Sequence, residues 1–154
     1  MATISKALLD ALEVDESCDL DEIIQQRQQA DFEALLSLLA LEASVKPAHR
    51  ERALYALERW GNRAAVAPIL GLLPHLEPTE RIRAIDALGR LNAQEALAGI
   101  LDYANDQSPH VRKFVTRALC RINSPEAQTK LREIERHDAV DFIRSLASKC
   151  LRRQ

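Results

Sequence analysis

The chain has 154 residues, one domain's worth of protein, and a chain of this size buries roughly 68–70% of its unfolded surface on folding, so neither disulfides nor metals are needed to hold it together. It is 47% apolar and 29% charged, with 4% aromatics and only 4 glycines, which excludes a sandwich or barrel of β-branched and aromatic strands and points to an all-α chain. The net charge of −2 averages two unlike parts: 1–45 carry ten Asp/Glu against Lys6 and Arg27, a sum of −8, and 46–154 carry the other nineteen Lys/Arg against thirteen Asp/Glu, a sum of +6.

In chain order, the first expected helix covers 4–13, with Ile4, Leu8 and Leu12 on one stripe. No small-residue cleavage site precedes Asp10 and Glu13, and no stretch of 18 or more apolar residues follows, so the expectation is a cytoplasmic protein with no membrane partner. A second helix is expected over 20–29, opened by Asp19 and Glu22 at capping-box spacing. A third covers 31–41, apolar on one face. Together 1–45 reads as an acidic capping unit of the kind a repeat array needs at its end.

From 46 onward the chain repeats itself at an offset of 31. Residues 50–60 (RERALYALERW), 81–91 (RIRAIDALGRL) and 112–122 (RKFVTRALCRI) align with four invariant columns: Arg50/Arg81/Arg112, Ala56/Ala87/Ala118, Leu57/Leu88/Leu119 and Arg59/Arg90/Arg121. Each copy continues into a second apolar segment, 65–73, 96–104 and 127–134. In the first of these Val66, Ile69, Leu70 and Leu73 follow the i, i+3, i+4, i+7 spacing of one helix face. Gly61-Asn62, Asn92-Ala93 and Asn123-Ser124 separate the halves, residues that accept a left-handed backbone and stop a helix. Pro47, Pro78 and Pro109 separate the units and start the next helix. A fourth copy begins at Arg144 with an offset of 32 and runs to Arg153. The chain is thus expected to be one domain, 1–154, with about three and a half repeats over 46–154.

The Arg-x-x-Ala-x-x-Ala-Leu-x-Arg helix, the Gly/Asn turn and the Ala-Val-x-Pro-Ile-Leu-x-Leu-Leu helix resemble HEAT-like repeats of the phycobilisome-lyase type. The resemblance covers about 46–154. It implies a right-handed α-α solenoid, or superhelix, in which the second helix of each pair lines the concave face. It also implies a function among bilin lyase subunits, chromophore-handling factors and protein-binding modules. In such stacks the early arginine of each unit resembles one that pairs with an acid in the preceding loop. Asp106 stands six residues before Arg112 and Asp138 six before Arg144, while Ser44 and His75 hold the equivalent places before Arg50 and Arg81. Arg50, Arg81, Arg112, Arg144, Asp106 and Asp138 are therefore expected to tie repeat to repeat.

The remaining chemistry is sparse. His49, His75, His110 and His137 have no metal-ligand spacing. Cys18, Cys120 and Cys150 match no zinc or redox motif and read as unpaired small hydrophobes of a reducing compartment. Trp60 shares a column with Leu91 and Ile122 and reads as core. Most of the cations of 46–154 fall on the first helices, and no cationic second-helix face with its own aromatics is present, which argues against nucleic acid. No phosphate loop, nucleophile elbow or acid/base pair is present, so no catalytic residue, metal or cofactor is expected.

The leading expectation is accordingly a protein-interaction module, adaptor or regulatory subunit without catalysis of its own, presenting its second helices to another protein. Leu72, Glu95, Gly99, Asp102, Tyr103, Lys130 and Glu133 are the candidate contact residues, Tyr103 as a tyrosine anchor at the edge of the apolar stripe. The alternatives are a bilin- or tetrapyrrole-handling role and an acidic-face inhibitor, of immunity type, of a basic partner. The terminal helices also offer surfaces for a homo-oligomer.

Overall fold

A computed structural model describes residues 6–13, 17–26, 28–40 and 45–153. Ten α-helices follow one another, with no strand among the described residues: α1 (Lys6–Glu13), α2 (Ser17–Gln26), α3 (Gln29–Ser37), α4 (Pro47–Trp60), α5 (Val66–Leu72), α6 (Pro78–Arg90), α7 (Leu97–Leu101), α8 (Pro109–Ile122), α9 (Pro125–His137) and α10 (Asp141–Arg152). Short 3₁₀ turns, Arg63–Ala65 and Gln94–Ala96, lead into α5 and α7. The architecture is the expected all-α solenoid. Helices α4, α6, α8 and α10 lie side by side in one layer, and the second helices α5, α7 and α9 pack on α6, α8 and α10.

The punctuation residues act as their chemistry dictates. Pro47, Pro78 and Pro109 sit in the first turn of α4, α6 and α8, where a missing N–H costs nothing. Gly61, Asn92 and Asn123 adopt positive φ of 71°, 49° and 47°, the left-handed turn that lets each second helix double back. Ser124 caps α9, its hydroxyl accepting from the Ala127 N–H at 3.1 Å.

Packing explains the invariant small residues. Ala53, Ala56, Ala84, Ala87 and Ala118 are fully buried with Leu57, Leu88 and Leu119, each such leucine contributing about 2 kcal/mol by leaving water. The approach is closest between α6 and α8, where a Cβ on Gly89 would stand 2.7 Å from the Ala118 Cα. The core runs as one cluster from Leu8 to Cys150. Trp60, 6% exposed, is core as expected, with Phe32 of α3 at 5.7 Å between ring centroids.

Several expectations need correction. Helix α2 begins at Ser17, so Asp19 lies inside it rather than at its cap, and the capping-box side chain of Asp19 falls outside the described residues, as do Ile4, Ser44 and the Cys18 side chain. Helix α3 ends at Ser37, not 41. Helix α7 is five residues long, with helix-weakening Gly99 at its centre, and breaks into turns after Leu101. Cys120 and Cys150 are not unpaired: they form a disulfide between α8 and α10, with Cα atoms 5.4 Å apart. Stacking of one unit on the next makes that pair, which is why no local spacing motif announces it.

Candidate interaction surface

The first arginine column works forward along the stack. Arg50 donates to the Glu80 carboxylate at 2.5 Å, Arg81 to Asp106 at 3.4 Å and Arg112 to Asp138 at 2.9 and 3.2 Å. In each case the acid sits at or just before the start of the next first helix. These three arginines, and Arg144 with them, reach back to a main-chain carbonyl before their own helix: Ala40 for Arg50, Leu76 for Arg81, Asp106 for Arg112 and Asp138 for Arg144. The pairing expected from sequence is therefore displaced by one unit. Arg112 takes the carbonyl of Asp106 while the carboxylate serves Arg81, and Arg144 takes the carbonyl of Asp138 while the carboxylate serves Arg112. Arg144 then falls back on Asp141 of its own helix.

The second column works backward. Arg59 meets Asp21 of α2 at 2.8 Å, Arg90 meets Glu58 of α4 at 2.9 Å and Arg121 meets Asp86 of α6 at 2.6 Å. Arg90 also donates to Asp86, four residues earlier on its own helix, at 3.0 Å. Burial pushes the Asp86 carboxyl up, but hydrogen bonds from Arg121 and Arg90 outweigh it and hold the group below the usual carboxylate range. For Asp138 burial is likewise overcome by Arg112 and the Val140 N–H. Glu58 is the reverse case, since burial outweighs the pull of Arg90 and raises it. Sequence reasoning passed over Glu80 and Asp86, buried at 5% and 4% exposure. The available signal was an acid at a position where neighbouring copies carry other residue types.

The second helices spend little of their surface this way. Lys130 and Glu133 pair at 2.8 Å on α9 and, with Leu101, Glu126 and Thr129, line an open groove of about 350 Å³ beside α7. Asp102 is exposed at the end of α7. Glu95 is exposed and paired with Arg63 at 2.5 Å, which links two consecutive turns of the same layer. Three other candidates stand elsewhere. Leu72 is 6% exposed and faces the core. Gly99 lies against α5, where a Cβ would meet the Leu70 Cδ1 at 2.5 Å. Tyr103 is half-buried with the Arg81 guanidinium 4.8 Å above its ring, so it belongs to the Arg81–Asp106 junction. The groove thus gathers Lys130 and Glu133 and adds Leu101, Glu126 and Thr129, which the repeat alignment did not single out.

No group of three or more His, Cys, Asp or Glu side chains suited to a metal occurs among the described residues, and no helix among them is long and apolar enough to cross a membrane. A family model described as HEAT repeats matches residues 72–152, more than half of the chain. No curated protein matches the sequence.

Proposed function

Because the chain belongs to the HEAT repeat family, whose repeats generally mediate protein–protein interaction, we propose that it is a non-catalytic adaptor or regulatory module that grips a protein partner with its second-helix layer. The observation that carries this reading is the division of labour between the layers. Two arginine columns tie the first helices to one another, while α7 and α9 keep an open groove lined by Leu101, Glu126, Thr129, Lys130 and Glu133. An apolar residue set among charged and polar ones suits a protein-binding patch. The test is quantitative affinity capture from the native host with wild type and with Asp102→Lys plus Lys130→Glu. Loss of specific partners with the variant is expected; recovery of the same proteins in the same amounts assigns the function to another face.

Two narrower readings are weighed against the same residues. Bilin handling rests on the repeat motif, and a change in visible absorption on adding a bilin would support it; no change at high micromolar protein removes it. Recognition through the acidic cap is weakened because Glu13 already engages Lys46 and lies beside His49, and Asp21 engages Arg59. The first of these contacts, Lys46, followed by His49, holds the Glu13 carboxyl below its usual range.

A further inference from the structure

The backward-reaching arginine column has a fourth member. At the offset of 32 that opens the last copy, Arg153 aligns with Arg121, Arg90 and Arg59. The two earlier first-helix junctions supply their acid from the columns of Glu58 and Asp86 on the preceding first helix. On α8 those columns hold Cys120 and Arg117. Arg153 therefore shares a pocket with a disulfide sulfur and another cation, where Arg90 and Arg121 meet a carboxylate.

The consequence is a pocket lined by Arg117, Arg121, Lys149 and Arg153 together with Cys120 and Cys150, about 290 Å³ in volume, with no carboxylate among the described residues of its wall. Arg121 already gives one nitrogen to Asp86. Arg117, Lys149 and Arg153 make no ion pair among the described residues; Arg117 has only the Phe114 ring, 5.0 Å from its guanidinium carbon. The Cys120–Cys150 disulfide fastens α8 to α10 at the pocket's edge and holds the cations of the two helices toward one another. Gathering three cations without an acid partner beside the Asp86-paired Arg121 is unfavourable unless an anion joins them, and arginine forks match oxyanions in geometry as well as charge.

We propose that this pocket binds a multiply charged oxyanion of the phosphate class, seated where Asp86 serves the junction before it. The anion takes the place of the acid that the described residues do not supply between α8 and α10. The site lies on the first-helix layer, apart from the groove beside α7 and α9, so it stands or falls independently of the adaptor reading.

The test is calorimetric titration of the full, oxidised chain with inorganic diphosphate and, in a second arm, with a phosphoserine peptide, each against a matched chloride control. Saturable binding of diphosphate is expected. The phosphoserine arm tells the source: tighter binding there assigns the phosphoryl group to a partner rather than to a free small molecule, within the same chemistry. Arg117→Asp restores an acid to the column and supplies Arg153 with an internal partner. It should weaken binding at least tenfold, the scale of one lost charge-assisted contact, and leave the helical circular dichroism intact. Lys149→Gln, on an exposed side chain that the fold does not need, should weaken binding in the same direction. Arg132→Asp makes the same charge change on α9, outside the pocket, and should leave binding within about twofold. No saturable binding of either probe at millimolar concentration overturns the proposal, and so does an Arg132→Asp effect as large as that of Arg117→Asp.

Discussion

At the scale of single residues the informative groups are the buried acids. Arg112 and Asp138 lie at 13% and 5% side-chain exposure and are joined by two hydrogen bonds, so a double-mutant cycle between them should give a coupling of about 1 kcal/mol. The cycle between Arg112 and the Asp106 side chain should give a clearly smaller one, because Arg112 donates to the main-chain carbonyl of Asp106 and feels its carboxylate only through space. Equal couplings in urea denaturation would refute the displaced pairing. The same acids set a pH dependence. Asp86 and Asp138 are held below the ordinary range, so the stability they lend is complete above an unfolded value of about 3.9 and is lost as pH falls through their depressed values. Glu58, raised by burial, acts oppositely: folding stability falls as pH rises from about 4.3 toward its raised value. Melting temperature measured down through pH 4 should therefore drop less for Asp138→Asn than for wild type. An unchanged acid limb would remove Asp138 from that role.

At the scale of elements, glycine substitutions separate packing from propensity. Gly71→Ala on α5 meets nothing within 4 Å and should stabilise by up to about 1 kcal/mol, the ordinary helix preference for alanine. Gly89→Ala places its Cβ 2.7 Å from the Ala118 main chain. The cost of prising α6 from α8, about 1–3 kcal/mol, exceeds the same propensity gain, so the sign should reverse. Thermal unfolding of the two variants checks this, and a stabilised Gly89→Ala would contradict the close approach. The elements themselves were largely legible, because their signals are local: proline in the first turn, Gly61, Asn92 and Asn123 in the left-handed turn, an apolar face at helical spacing. What sequence could not supply was direction across a junction. The arginine columns stand out in an alignment of the copies, yet whether Arg112 turns to the acid before it or to the one 26 residues after it depends on how helices stack. The Cys120–Cys150 bond and the burial of Leu72 depend on the same stacking. Lys130 and Glu133 could be placed together on one helix face because i, i+3 spacing is a local property.

At the scale of the molecule, the split between −8 over 1–45 and +6 over 46–154 is partly bridged by contacts. Glu13 and Asp21 are taken up by Lys46 and Arg59, and much of the arginine of 46–154 is taken up by the junctions. The first-helix layer is thereby engaged in cohesion, and the proposed recognition falls to the layer of α5, α7 and α9. Hydrogen–deuterium exchange of the chain, alone and saturated with a partner recovered by affinity capture, tests that division directly. The expected result is new protection in the peptides of α7 and α9, 97–101 and 125–137, with α4, α6 and α8 unchanged. Protection confined to the first helices, with α7 and α9 exchanging as before, would contradict it.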